Sequence, residues 1–379
     1  MLENKVVANV IGGGKQRSSN IELYRILVMA SIVAHHYVVN SGLLDVMNQN
    51  ILSANTTFYS LFGAWGKTGI NCFVLITGYF MCKSQITLNK FLKLLIWVIT
   101  YSFTITTIFI VFGYKPEGTL QMIINAIPLR TIYPSDFTSC FIFFYLCIPF
   151  LNILLKNITK RQHQWLILLL LFIYTVHGSV PKLMSVDMNY VSWFSVLYFI
   201  AAYLRLYPIK ENNTKFWGWA TLISFGLSSV GILLLNYIQA KLGMDAKVQY
   251  SYMLVQDSNA FLALTNGITS FMWFKSMKIG HIIWINTIAA SAFGVLLIHA
   301  NSNTMRQWLW KDTVDCVGHF DTPYYWLYAI GCVLSIYALC TLIDYIRIKT
   351  IETPLLSATE KACCWVKDKW MKNVVENFK

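Results

Sequence analysis

Hydrophobic residues are concentrated in ten long runs that are separated by polar stretches. These runs cover approximately 24–41, 59–81, 92–113, 138–155, 164–180, 190–207, 216–238, 259–275, 282–301 and 324–346. Each is close to the length that a helix needs to cross about 30 Å of hydrocarbon. The alternation typical of strands is absent, and an open sheet in lipid would leave backbone groups unpaired. The pattern therefore predicts an all-α, polytopic integral membrane protein with about ten transmembrane helices.

Composition and charge support this topology and fix its predicted orientation. The chain is 56% hydrophobic and 12% charged, whereas soluble domains are about 25% charged. The net charge of +13 would suggest a nucleic-acid partner in a soluble protein. If the N-terminus is cytoplasmic, however, 21 of the 30 Lys and Arg residues fall in inner segments and seven in outer ones. This bias predicts cytoplasmic N- and C-termini, with the lipid bilayer rather than nucleic acid as the partner of these charges.

The same segments define the predicted domain organisation. Residues 1–23 form a cytoplasmic tail, residues 24–346 a ten-helix transmembrane domain, and residues 347–379 a basic cytoplasmic tail. The nine cysteines are odd in number, lie mostly within the apolar runs, and lack the Cys and His spacing of metal sites. We therefore predict neither a disulfide framework nor a bound metal.

The outer connections are long and polar, whereas most inner turns are short and basic. Asp45 and Asp136 lie in two of the outer connections and are candidate substrate-binding residues. Solvated loops with aromatic residues at the headgroup boundary are the alternative interpretation for any one of these positions.

Two ionisable residues in the first run share one helical face. Arg25 and His36 are eleven positions apart, which places them about 20° apart around the helix and about 16 Å apart along it. An arginine at the inner helix end also occurs as a snorkelling topology anchor. An imidazole near mid-bilayer needs a partner or a polar cavity, and His36 is therefore a candidate functional residue. His35 faces about 100° away from it.

Two further ionisable residues are predicted in the outer half of the membrane. Lys67 lies near the outer end of the second run, where snorkelling to the surface is the alternative interpretation. His299 ends the ninth run and places a second imidazole at similar depth. Lys67 and His299 are candidate neighbours of His36.

Four short motifs together carry a family resemblance. They are Arg25 and His36 as Arg-x10-His, Phe73 followed by Thr77-Gly78-Tyr79, Pro149-Phe150-Leu151-Asn152, and the segment from Gly294 to His299. As a set they resemble the acyltransferase-3 family of bacterial membrane acyltransferases, over approximately residues 18–346.

The resemblance implies an O-acyltransferase of the cell (cytoplasmic or inner) membrane, without a tightly bound cofactor. Such an enzyme moves an acyl group, most often acetyl, from cytoplasmic acyl-CoA to a hydroxyl of a cell-surface or lipid-linked glycan. His36 would be the general base or a transient acyl carrier. Arg25 would hold the coenzyme phosphates, with Tyr79 as a second coenzyme contact. Lys67 and His299 would contact the oxyanion or the acceptor, and His35 would tune the site or contact substrate.

A transporter or flippase of a lipid-linked sugar or organic acid is the alternative function. Arg25, His36 and Lys67 would then form a proton or anion relay. No run is visibly interrupted by Pro and Gly in matching halves of the chain, which is the usual sign of a transport site. Dependence on acetyl-CoA separates the two functions.

Overall fold

The described part of the protein is built from helices. The computed structural model describes residues 17–130, 136–176, 188–208, 213–242, 246–352 and 354, and these residues contain no strand. The helices are α1 Ser19–Val39, α2 Leu43–Gln49, α3 Ala54–Phe62, α4 Gly66–Met81, α5 Leu88–Val111, α6 Thr119–Ala126, α7 Phe137–Asn157, α8 Lys160–Leu171, α9 Tyr190–Leu206, α10 Thr214–Lys241, α11 Val248–Ser251, α12 Phe261–Ser276, α13 Ile283–Ala290, α14 Ala292–His299, α15 Asn303–Gln307 and α16 Tyr325–Arg347. Turns of π-helix extend α8 to Val176, α15 to Thr313 and α16 to Glu352.

Every predicted apolar run contains a helix, but fewer than ten of these helices have at least 18 residues together with the apolar character needed to cross a membrane. Within the described ranges, α5, α7, α10 and α16 with its π-helical extension are long and apolar enough. Two bent pairs raise the number to six: α1 with α2, at 63°, and α13–α14 with α15, at 94°. The helical membrane class is therefore confirmed, whereas ten crossings and the orientation of the termini stay predictions.

The long apolar helices lie on the outside of the bundle. Only 28–39% of the most apolar window of each is buried within the protein, and they expose large side chains such as Phe150 and Val111. Exposed apolar surface on this scale is unfavourable in water and suits contact with lipid tails.

The central helices are shorter and largely buried. α4, α9 and α12 have 16, 17 and 16 residues, and a 16-residue helix is only about 24 Å long. They are therefore shorter than the 18 residues taken as the minimum for a membrane span. Eleven residues of α4 are buried. α4 packs against α1, α9 and α12. The end of α1 and the start of α4 lie next to each other.

Polar residues assigned to the N-terminal tail instead belong to the bundle. α1 begins at Ser19, five residues before the predicted boundary. The side-chain amide of Asn20 donates to the backbone carbonyls of Phe274, Lys275 and Met277 at 3.0, 3.2 and 3.1 Å. These carbonyls lie at the end of α12, where the regular intrahelical hydrogen bonds stop. The Phe274 carbonyl also accepts from the backbone N–H of Met277 at 3.2 Å. The polar Asn20, which the sequence placed in a tail, therefore caps the end of α12.

The opposite chain end shows a similar extension. The π-helical turn after α16 ends at Glu352, which is buried although it lies in the predicted basic tail. Its carboxylate accepts a hydrogen bond from Arg347 at 2.7 Å and forms an ion pair with Lys93. Residues 355–379 of the predicted tail lie outside the described residues.

Candidate active site

Two of the predicted histidines are in direct contact. His36 lies in the last turn of α1, and His299 is the last residue of α14. The His36 Nδ1 and His299 Nε2 atoms are 3.0 Å apart, and the ring centroids are 5.1 Å apart. His299 is fully buried, whereas His36 is only partly buried. The fold thus joins two imidazoles that are 263 positions apart in the chain.

The hydrogen bonds fix which nitrogen of each neutral ring carries the proton. His299 Nδ1 is 2.6 Å from the backbone carbonyl of Val295, and a carbonyl only accepts. The proton of neutral His299 is therefore on Nδ1, and its Nε2 is an acceptor. The hydrogen in the contact between the two rings then belongs to His36 Nδ1. This leaves a lone pair on His36 Nε2, the nitrogen arrangement of a general base.

The helix that carries His299 packs closely against a buried carboxylate. Asp344 on α16 is fully buried, and its Oδ1 atom accepts from Trp97 at 3.1 Å, Tyr101 at 2.7 Å and Arg347 at 2.9 Å. A side chain at Gly294 of α14 would overlap the Asp344 carboxylate. Glycine is therefore required for α14 to approach α16 this closely.

A cavity of about 510 Å³ contains the His36 side chain. Met29 and His36 both line it, and their separation of seven residues gives it a depth of about 10 Å along α1. The predicted residues His35, Lys67 and Asp136 also line this cavity. The structure therefore brings together four of the eight predicted site residues around one space, with His299 directly behind His36.

His35 is fixed by a backbone contact at the edge of the cavity. Its Nδ1 atom is 2.6 Å from the carbonyl of Gly63, so Nδ1 carries the proton of the neutral ring. A side chain at Gly66, the first residue of α4, would overlap the His35 ring. The start of α4 thus packs directly against this imidazole.

Lys67 and Asp136 contribute opposite charges to the cavity. The Lys67 ammonium donates to the Tyr190 hydroxyl at 2.6 Å, and Tyr190 is itself a lining residue. Asp136 precedes α7 and accepts from the backbone N–H of Ser139 at 2.8 Å, as a helix N-cap. One oxygen of Asp136 thereby caps α7, while the residue also lines the cavity.

Besides His299, three other predicted site residues do not line the cavity. Arg25 lies on the same face of α1 one turn before Met29, and it pairs with Glu22 at 3.2 Å. Tyr79 lies near the far end of α4 and accepts from Arg205 at 2.8 Å. Asp45 is exposed on α2, so the predicted substrate contact at this position has no support from the geometry.

The ring of Tyr79 is covered by two cations. The Arg205 guanidinium lies 4.6 Å and the Lys275 ammonium 5.7 Å from its centroid. Neither cation is in an ion pair with a carboxylate of the described residues. Tyr79 thus belongs to a basic cluster at the opposite end of α4 from the histidines.

Sequence reasoning missed two cations of the site and the buried Asp344. Arg130 and Arg306 line the cavity, whereas their positions in the sequence indicate only charges of outer segments. The position of Arg306, seven residues after His299, was the one available signal. Asp344 lies inside the last apolar run, and an ionisable residue within such a run is a candidate functional or structural site, as Arg25 is. In the described part of the chain, no three His, Cys, Asp or Glu side chains are placed to hold a metal ion.

A comparison with protein-family models identifies a match over most of the chain. Residues 18–344 match a model described as an acyltransferase domain, which covers most of the chain and every residue of the cavity. Comparisons with curated proteins and with solved structures gave no significant match.

Proposed function

The chain belongs to the acyltransferase-3 family, and from this premise we propose that it transfers an acyl group, in the first instance acetyl, from acyl-CoA to a glycan hydroxyl. The acceptor is a cell-surface or lipid-linked glycan. The observation that supports the chemistry is the contact between His36 and His299 beside a cavity large enough for a sugar. An activated thioester needs a base for the acceptor proton and a donor for the oxyanion rather than further activation.

His36 is the proposed catalytic base. Its Nε2 atom takes the proton of the acceptor hydroxyl while the oxygen attacks the thioester carbonyl. The tetrahedral intermediate then collapses: the new C–O ester bond stays, the C–S bond breaks, and the thiolate takes the proton back from His36 Nε2. His299 is a positioning residue, because its Nε2 lone pair accepts from His36 Nδ1 and stabilises the transient imidazolium.

Lys67 is the proposed donor to the oxyanion. It lines the same cavity as His36, and its ammonium carries hydrogens beyond the one given to Tyr190. An oxyanion in a site sheltered from water gains more from such a charge than it would in solvent.

The proposed coenzyme contacts, Arg25 and Tyr79, lie outside the cavity, toward the start of α1 and the end of α4. Arg25 lies one turn before Met29 on α1, and it is the proposed contact for the phosphates of acyl-CoA, in exchange for Glu22. Tyr79 is about 18 Å along α4 from Lys67. We therefore assign Tyr79 to the nucleotide end of the coenzyme, through Arg205 and Lys275, rather than to the acyl end.

The test compares surface polysaccharide from cells with and without the gene by mass spectrometry. Polysaccharide from cells with the gene is expected to carry the added acyl mass. If the polysaccharide lacks this mass in cells with the gene as well as in cells without it, the proposed function is rejected. In cells expressing His36→Ala the acyl mass should be lost at unchanged membrane abundance. His281→Ala is the matched control, because His281 is exposed and outside the cavity. Near-normal acylation by His36→Ala would reject His36 as the base.

A further inference from the structure

The cavity around His36 carries an excess of positive charge. Lys67 at the start of α4, Arg130 after α6 and Arg306 on α15 line it, whereas Asp136 is the one carboxylate among the described lining residues. None of the three cations forms an ion pair with a carboxylate of the described residues. With neutral histidines, these lining residues sum to a charge of +2.

Arg306 is the clearest of these cations, because part of its side chain is sheltered from solvent. It donates to the Asn303 amide oxygen at 3.2 Å and to the Ala300 carbonyl at 3.4 Å, both neutral groups. Its Nε atom is buried and has no hydrogen-bond partner. Asp136 is the carboxylate in the same cavity that acts on Arg306, but the two do not form an ion pair. A partly sheltered guanidinium without a direct ion pair is unfavourable, and an anionic ligand would supply a closer partner.

We propose that the acceptor glycan carries a carboxylate or phosphate group that binds Arg306 and Arg130 while a neighbouring hydroxyl faces His36 Nε2. This inference rests on the proposed function and deepens it by naming the charge of the acceptor. The fork of N–H donors on each guanidinium matches a planar carboxylate or a phosphate in a way that an ammonium does not.

The position of these cations indicates that they bind the acceptor glycan rather than the acyl-CoA donor. Lys67, Arg130 and Arg306 lie at the end of the bundle that holds His36, where α4 begins and α6 and α14 have ended. Arg25 and the cluster of Tyr79, Arg205 and Lys275 lie toward the other helix ends. The chain therefore offers separate basic groups at its two ends, one set for each substrate.

The first experiment locates the acyl group on the purified polysaccharide. The expected result is an acyl group on a sugar that bears a carboxylate or phosphate, or on its direct neighbour. An acyl group in a repeat unit without an acidic group would overturn the inference and leave the proposed function standing.

The second experiment measures transfer by the full-length protein in nanodiscs of a neutral phospholipid. The donor is radiolabelled acetyl-CoA, and the acceptor is polysaccharide from cells that express His36→Ala. For Arg306→Gln we expect the acceptor KM to rise about 10- to 100-fold, as for loss of one charge-assisted contact, and Arg306→Lys should recover part of the loss. Arg161→Gln is the control, because Arg161 is exposed and outside the cavity.

Two further arms separate the possible sources of the anion. Reduction of the acceptor carboxylates, or removal of its phosphates, should remove the difference between Arg306→Gln and the parent protein. With acetyl-pantetheine, a donor without phosphates, that difference should persist. If Arg306→Gln instead raises only the KM for acetyl-CoA and spares acetyl-pantetheine, the cations bind the donor and the inference is wrong. No transfer by the parent protein would reject the proposed function itself.

Discussion

Replacing His299 tests whether the second imidazole acts on the first. His299→Leu removes the acceptor of the 3.0 Å contact and leaves the N–H of His36 Nδ1 facing an apolar side chain at the fully buried position 299. Leaving a buried donor unsatisfied costs about 1–3 kcal/mol, which corresponds to a fall in kcat of about 5- to 150-fold if the cost falls on the reactive orientation of His36. His299→Gln restores an acceptor oxygen, so we expect its rate to lie within about 10-fold of the parent protein.

The assay is the initial rate of acetyl transfer in nanodiscs at saturating donor and acceptor, with thermal unfolding measured in parallel. Stability losses from the buried site are read from unfolding and kept apart from the rate of the folded fraction. The ordering of the two variants decides the outcome. Equal rates for folded His299→Leu and His299→Gln, or a His299→Leu rate within twofold of the parent protein, would refute the role of His299 in fixing the His36 proton.

Two further predictions concern the close packing around the site. Gly66→Ala should destabilise the protein by about 1–3 kcal/mol and reduce transfer, because the new methyl group overlaps the His35 ring; Gly226→Ala, with open space around it, should be stabilising or neutral, and equal unfolding temperatures for the two variants would contradict the packing. Asp344→Ala should destabilise by about 3–5 kcal/mol, since it leaves Arg347 buried with one carboxylate fewer. Asp45→Ala at an exposed position is its control, and similar unfolding of both would argue against a structural role for Asp344.

The helical architecture was predictable because lipid makes long apolar runs conspicuous. Each run contains a helix, yet helix ends are set by tertiary contacts that hydrophobicity does not encode. The sequence places Asn20 in a polar tail, and only the structure shows that its amide donates to the carbonyls at the end of α12. Glu352 reads as part of a basic tail until its ion pairs with Arg347 and Lys93 are known.

The candidate site was partly predictable for a related reason. His36 and His299 each stand out as imidazoles within apolar runs, but their 3.0 Å contact depends on the packing of α1 against α14. No periodicity within one helix reports such a pairing. Arg130 and Arg306 were missed because a cation in a connection between apolar runs has the same sequence signature whether it marks topology or lines a cavity.

The two histidines also share a position that affects how positive charge is tolerated between them. His36 and His299 each lie in the last turn of a helix, where the backbone dipoles leave a partial negative charge. Two helix ends thus meet at the pair, and each favours a nearby cation by about 0.3–1 kcal/mol. The backbone therefore supplies part of the field that an aspartate provides in a Ser-His-Asp triad. In the proposed mechanism, a proton held briefly on His36 would be stabilised by the two helix ends without a carboxylate partner.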